Sequence, residues 1–371
     1  MEYEEISRRL QQCSQVYFYG AGIIAYGAYR AIKELCGITV KAFFVTDICR
    51  QPCQIEGVPV YSFFSSFVPD AILENLPISI FVIATPEEYH CSIERILIQK
   101  GIYNYIKLDS HTEYILMGKY LKKKKGSDFR LIEEYQKQEK KICSDTVGIY
   151  MAVSHRDKKL SKVYCEKPWI KKIQVGAALT DERISALTDE GTDSLSAENN
   201  LYGELTASYY AWKHNIYKIT GLFHYRRILA VSEEQLNLID NGIIDVILPL
   251  PFVCFPDVSG QYKRYILQKD TEIMLQVIKE RELDQFTELC ACLKRWDLYN
   301  YNMMIAAKEV FDDYCRWIFP MLKEITYRCE KTKTERLPRY IGRIGEVLTS
   351  LYFMRNIRNW KIAHAEKVWR I

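Results

Sequence analysis

No stretch of this chain approaches the ~18 consecutive apolar residues that would span a bilayer. The first residues, Met1-Glu2-Tyr3-Glu4-Glu5, are acidic where an export signal would be basic and then apolar. Neither a signal peptide nor a transmembrane anchor is expected. A metal-binding cysteine framework is missing too. Twelve cysteines are scattered, with three residues between Cys49 and Cys53, one between Cys290 and Cys292, and no complementary Cys/His pair nearby. That pattern fits reduced thiols and a cytoplasmic location. Charge of one sign is also scarce: a net +4 over 371 residues is too little to grip an extended polyanion, so nucleic acid is not an expected partner. No internal repeat or low-complexity segment is visible.

What is present is an α/β rhythm that runs twice. At about 100–200 residues per domain, the length suggests two domains, each large enough to bury a core. Val16 to Tyr19, a helix from Ile24 to Cys36, Val40 to Thr46, Ile78 to Ala84 and a helix from Glu87 to Lys100 predict a small parallel sheet over residues 1–118. A Lys/Glu-rich linker is expected over 119–146. Its four lysines, Lys122 to Lys125, suit either a solvated face or an anionic membrane surface. A second α/β pattern restarts at Val147 and fills 147–371, with strands expected at Val147–Val153, Ile219–Tyr225, Ile244–Leu248 and Tyr301–Ala306. Helices are expected near 200–213, 271–281, 309–329 and 338–354.

The first strand, turn and helix contain Gly20-Ala21-Gly22-Ile23-Ile24-Ala25, matching G-x-G-x-x-A. Small residues there allow a phosphate to approach a helix N-terminus, and Asp47, at the end of the second strand, is placed to bond a ribose hydroxyl. The alternative is a purely structural turn. In the second half, Gly221-Leu222-Phe223-His224-Tyr225-Arg226-Arg227 carries an apolar strand straight into an imidazole, a phenol and two guanidiniums. A core does not require that cluster, whereas a ligand at a sheet rim does, and paired Arg side chains suggest phosphate oxygens. Strand alternation predicts His224 and Arg226 on one face, Tyr225 and Arg227 on the other.

Glu204 is expected at the flank of a helical stripe, either neutralised by an Arg or at a pocket edge. Arg339, Arg343 and Glu346 fall at i, i+4 and i+7, so one helical face should carry all three. That face suits a salt-bridged surface as well as a site. Asn302 suits a ligand hydroxyl or a structural cap, and His155, following the opening strand of the second half, suits a ligand or the framework.

These pieces in this order resemble bacterial glycosyltransferases of capsular and exopolysaccharide synthesis, a family long catalogued as a domain of unknown function. The resemblance covers about residues 147–355. It rests on Ile149-Tyr150-Met151-Ala152-Val153-Ser154-His155, Ile173-Gln174-Val175-Gly176-Ala177-Ala178-Leu179, Glu204-Leu205-Thr206-Ala207 with Trp212-Lys213, the His-Tyr-Arg-Arg string, Tyr301-Asn302-Met303-Met304 and Arg343-Ile344-Gly345-Glu346. It implies a GT-A-like nucleotide-sugar-binding α/β domain after an N-terminal Rossmann-like sheet. It also implies transfer of a hexose, with galactofuranose from UDP-galactofuranose the best precedent, to a lipid-linked oligosaccharide at the inner membrane face.

On that resemblance Glu204 and His224 become candidates for acceptor deprotonation or sugar positioning. His155, Gln174, Tyr225, Arg226, Arg227, Asn302, Arg343 and Glu346 become candidates for holding the donor. Gly20, Gly22 and Asp47 would hold a nucleotide or dinucleotide in the N-terminal domain. The Asp-x-Asp string with which many GT-A enzymes bind Mg²⁺ or Mn²⁺ is absent. Asp189, Glu190 and Asp193 form a carboxylate-rich turn of different spacing, so metal use stays open. Two other classes fit less of the sequence: an NAD-dependent sugar-nucleotide oxidoreductase or epimerase run by the first domain, and a non-catalytic sugar-nucleotide-binding assembly protein.

Overall fold

A computed structural model describes residues 1–49, 51–65, 68–136, 144–160 and 167–370. The chain divides into two compact units: 1–129 with 252–255, and 130–251 with 256–370. Both are α/β, as expected. The segment read as a polar linker, 119–146, starts inside a helix of the first unit and includes residues 137–143, which lie outside the described ones.

In the first unit β1 (Val16–Tyr19) is buried along its whole length. It lies between β2 (Val40–Val45) and β4 (Ile80–Ile83), both parallel to it. β3 (Val58–Ser62) and β5 (Tyr105–Lys107) extend the two sides, giving the order β3-β2-β1-β4-β5, with Gln54–Ile55 antiparallel at the β3 edge. That is the order of a doubly wound sheet. Tyr17 packs against Phe44 and Phe81 with ring centroids 5.7 and 5.4 Å apart, spacings at which aromatic pairs attract beyond simple area burial. Helix α1 (Ile23–Cys36) follows the glycine turn and stops at Gly37, whose φ of 67° supplies the left-handed residue that ends many helices. Helix α2 (His90–Gln99) precedes β5, and α3 (Ser110–Lys125) closes the unit, capped by Asp109, which accepts the Thr112 N–H at 2.8 Å. The four lysines form the last turn of α3, where cations offset the helix dipole. Lys123 donates to the Glu34 carbonyl and Lys124 pairs with its carboxylate at 3.2 Å.

The second unit is built on a sheet of nine strands among the described residues. β6 (Val147–Val153), β7 (Ile170–Gln174), β8 (Ile219–His224), β10 (Val246–Pro249) and β12 (Ile362–Ala365) run parallel, and β11 (Met304–Ala307) runs opposite between β8 and β10. Strands buried on both faces read as apolar runs; β10 is that kind of sequence, and β8 departs from it only at Thr220 and the terminal His224. Val147, Ile149, Met151, Ile219, Phe223, Ile247 and Ile305 share one core. Around it lie α4 (Leu205–His214), α5 (Lys308–Lys331) and α6 (Tyr340–Arg355). β9 (Arg227–Leu229) folds back from β8 and pairs with β13 (Lys367–Trp369).

Gly221 sets how closely β8 and β11 approach, because a Cβ there would lie 2.0 Å from the Met304 carbonyl oxygen. A backbone atom of a central strand cannot swing aside. Gly221→Ala should therefore destabilise the protein by about 3 kcal/mol, the upper end for overpacking, read as a lowered midpoint in urea. An unchanged midpoint would show that this sheet can shear.

Candidate functional site

Parallel strands deliver their following loops to one edge, and ligands of α/β sheets bind at that carboxyl edge. Here β6 ends at Val153, β7 at Gln174 and β8 at His224. Because β11 runs the other way with Leu222 opposite Met304, the residues before Met304 arrive at the same edge. A cleft of about 790 Å³ opens there, lined by Ser154, Arg156, Asp157, Lys158, Asn200, Glu204, His224, Tyr225, Arg226 and Arg339.

The strand exit does not continue as a strand. His224 and Arg227 are direct cross-strand partners, with Tyr225 and Arg226 as the two-residue turn between them. Opposed residues of an antiparallel pair share a face, so the predicted alternation fails and His224 and Arg227 lie on the same side. Arg370 pins the turn, its backbone N–H donating to the Arg226 carbonyl at 2.9 Å and its guanidinium to the Tyr225 carbonyl at 3.2 Å. The Arg226 N–H donates to His224 Nδ1 at 3.3 Å. In the neutral imidazole the proton then sits on Nε2. Burial drives the His224 pKa down to about 3; the nearby Arg227, Arg226 and Arg339 add to the shift and Glu204 opposes it.

Glu204 is not on a helix flank. Gly203, at φ 58°, breaks the predicted helix, and Glu204 stands immediately before α4. A Cβ on Gly203 would come within 2.6 Å of the Arg339 guanidinium, so glycine gives Arg339 its route to the Glu204 carboxylate. Arg339 pairs with Glu204, and Asn302 Nδ2 donates to its other oxygen at 3.1 Å. Burial would raise the Glu204 pKa, but Arg339, His224 and Asn302 outweigh it and hold the carboxyl below its ordinary range. Both readings of Glu204 therefore hold: it is neutralised by an Arg and it lines the cleft.

Arg339 itself precedes α6 with φ 62°, so Arg339, Arg343 and Glu346 do not share one continuous helical face. Asn302 is buried and bonded on all sides: it donates to Glu204 and to the Gly342 carbonyl and accepts from Thr349 at 3.1 Å. It and Tyr301 have φ of 50° and 75°, which delays β11 by three residues against the predicted strand. Left-handed backbone is tolerated by Asn and is strained for Tyr.

Some expected residues have other work. The Gln174 amide is buried, donating to the Glu182 carbonyl at 2.7 Å and accepting the Ile184 N–H at 2.9 Å, so it braces a loop and does not face the cleft. His155 accepts from Arg156 through Nε2, while its Nδ1 is buried without a partner among the described residues. The carboxylate-rich turn is likewise engaged. Asp189 accepts the Gly176 and Ala177 N–H groups and the Ser196 hydroxyl, Glu190 pairs with Arg183, and Asp193 accepts from Tyr209 and pairs with Lys213. These carboxylates do not fit a divalent ion, and among the described residues no group of three His, Cys, Asp or Glu does. Arg227, Arg343 and Glu346 lie outside the cleft lining.

In the first unit Gly20 has φ 120°, and a Cβ there would meet the Ala84 carbonyl oxygen at 2.4 Å, whereas one on Gly22 would meet nothing within 4 Å. Asp47 is exposed and accepts the Cys49 N–H at 2.8 Å.

Sequence reasoning missed Asp157. It sits in the turn after β6, accepting the Ser154 N–H at 2.7 Å. Burial lifts its pKa to about 6 against that bond and the more distant Arg226 and Arg339. The available signal was Ser154-x-x-Asp157 directly after a buried strand, a side-chain-to-backbone turn at the edge where ligands bind. Arg336, which closes the far rim, was also missed; it forms a buried bidentate pair with Asp270, both bonds 2.8 Å.

No curated protein matches the chain. Among solved structures, the apo structure of the bifunctional glycosyltransferase WbbM superposes with a TM-score of 0.53 at 23% identity, covering 60% of this chain and 45% of that one. The chain thus spans less than half of WbbM, and the likeness is one of fold. The Rex-family repressor RSP aligns with a TM-score of 0.23 at 13% identity over 33% of this chain and 66% of its own. No helix among the described residues is long and apolar enough to cross a membrane. Residues 149–357, more than half of the chain, match the family described as Domain of unknown function (DUF4422), and the protein belongs to that family.

Proposed function

We propose that this protein transfers a sugar from a nucleoside-diphosphate donor to an acceptor hydroxyl. The observation that carries the reading is the cleft at the carboxyl edge, where Arg226, Arg339 and Lys158 surround the carboxyls of Asp157 and Glu204 in a fold shared with a glycosyltransferase. The acceptor oxygen bonds to the anomeric carbon, the bond from that carbon to the diphosphate breaks, and its electron pair leaves with the nucleoside diphosphate. The hydroxyl proton needs a base whose pKa lies near the working pH. Asp157, lifted to about 6, has that basicity; it takes the proton and returns it to water. Glu204, held ionised, and His224, held neutral, are too weakly basic for that task and position sugar hydroxyls instead, one accepting and the other donating through Nε2. Arg226, Arg339 and Lys158 offset the charge that gathers on the diphosphate.

The finer assignments come from the sequence resemblance: UDP-galactofuranose as donor, a lipid-linked oligosaccharide as acceptor, capsular or exopolysaccharide synthesis as the setting, and peripheral work at the cytoplasmic membrane face. For the first unit we propose a bound nucleotide or dinucleotide at Gly20 and Gly22, with Asp47 toward its ribose. The open space above Gly22 supports it.

The test is turnover of a panel of UDP-sugars by the full chain, read as UDP release with and without a glycoside acceptor. Transfer by wild type and a loss of about 10²–10³ in kcat for Arg339→Ala are expected, the scale for removing one stabilising donor. A chain that neither binds nor turns over any UDP-sugar would end the proposal.

A further inference from the structure

Among the described residues, Arg227 and Arg343 are two guanidiniums that hold no carboxylate. The Arg227 guanidinium stacks 4.2 Å from the ring centroid of Tyr301 and 4.3 Å from that of Trp369, and Arg343 stacks 4.3 Å from that of Tyr265. In both, Nε is buried without a hydrogen-bond partner among the described residues. Among the described residues neither makes an ion pair, and Glu346, three residues after Arg343 on α6, accepts no hydrogen bond from any of them.

Stacking fixes a planar fork in orientation and leaves its N–H edge unused. Burying such a group without a partner costs free energy. A fold that keeps two such guanidiniums beside the single carboxyl of Glu346 holds positive charge that this carboxyl does not neutralise. Glu346 lies within electrostatic reach of both Arg227 and Arg343, and Arg227 and Glu346 within reach of Glu204, yet all three residues are outside the cleft that Arg226 and Arg339 line.

We propose that Arg227, Arg343 and Glu346 form a second subsite that grips a phosphoryl group, beyond the cleft and separate from Arg226 and Arg339. The inference rests on the glycosyltransferase reading for its source of ligand, the diphosphate of the donor or that of a lipid-linked acceptor. The two arginine forks take the phosphoryl oxygens in the bidentate manner that lysine cannot copy. Glu346 sets the spacing of the forks, and burial, with Glu204 adding and the two arginines opposing, places its pKa near 7. It can therefore take up a proton as a dianion arrives.

The experiment is calorimetric binding of UDP and of geranyl diphosphate to the full chain, comparing wild type with Arg343→Gln, Arg343→Lys and Arg227→Lys. A tenfold or greater loss for geranyl diphosphate with UDP unchanged supports the subsite and assigns it to the acceptor; the same loss for UDP supports it and assigns it to the donor. Both lysine variants should lose most of the affinity that the glutamine variant loses, because charge without the fork is insufficient. Affinities within twofold of wild type for both ligands in all three variants would overturn the subsite. Should the glutamine variant melt early, the two lysine variants decide the matter. Binding is read without turnover, so a chain that transferred no sugar would still report on these residues.

Discussion

Asp157→Asn should lower kcat by about 10²–10⁴, the range for removing a positioned proton acceptor, while the donor KM stays within a few-fold. The amide oxygen of Asn can still accept the Ser154 N–H that Asp157 now holds at 2.7 Å, so the turn after β6 should survive. What disappears is the ability to take a proton. In wild type the base must be ionised, so kcat/KM should rise with pH through about 6. The variant should lose that limb. Its stability should move the other way. A carboxyl whose folded pKa is raised binds its proton more tightly folded than unfolded, so its contribution is present below about 4 and lost as pH rises through 6. Near pH 7.5 the ionised Asp157 thus costs the fold at most about 3 kcal/mol, reduced by solvent screening at this partly exposed site, which the neutral amide removes. A variant that is slower and melts higher is the pattern of a site kept active at the expense of stability. Wild-type kcat in Asp157→Asn would remove this residue from the chemistry and return Glu204 and His224 to candidacy.

Glu204→Gln supplies the contrast. It would leave the Arg339 guanidinium without its carboxylate and change the partner of Asn302, so binding and turnover should fall together. A group that acts only on the proton leaves KM nearly alone, and a group that shapes the cleft does not.

The buried strands were legible because a strand covered on both faces is apolar along nearly all its length, as Val16–Tyr19 and Val147–Val153 are and as Ile219–His224 is apart from Thr220 and the terminal His224. Periodicity does not register where the chain turns sharply. Tyr225-Arg226 has none of the glycine or asparagine that marks a two-residue hairpin, so the reversal that puts His224 and Arg227 on one face left no local trace. Gly203 and Arg339 broke two predicted helical faces in a related way: each adopts a positive φ beside the tertiary pair of Arg339 with Glu204. Gln174 was misplaced because a buried amide that braces a loop and one that meets a ligand look alike in sequence. The strands Ile362–Ala365 and Lys367–Trp369 are short and carry His364 and Lys367, so no apolar run marks them in the sequence.

Glu346 and His224 should impose opposite pH dependences on stability, and two substitutions separate them. Burial lifts Glu346 to about 7, Glu204 adding and Arg343, Arg227 and Arg339 opposing. Its folded pKa exceeds the unfolded value of ~4.3. Its contribution is therefore full in acid and lost as pH rises through 7, about 4 kcal/mol in all. His224 runs the other way: with a folded pKa of about 3 against ~6.5 unfolded, it stabilises above 6.5 and that contribution is lost as pH falls toward 3, on the order of 5 kcal/mol. Between about 4.5 and 6.5 the two slopes oppose one another and nearly cancel. Glu346→Gln should thus raise stability at pH 8 and leave it unchanged at pH 4, whereas His224→Gln should raise it at pH 4 with no matching gain at pH 8. Urea unfolding of both variants at the two pH values checks the pair. Equal shifts at both pH values would mean that packing, and not protonation, governs these positions, and the electrostatic account of the cleft would fail with it.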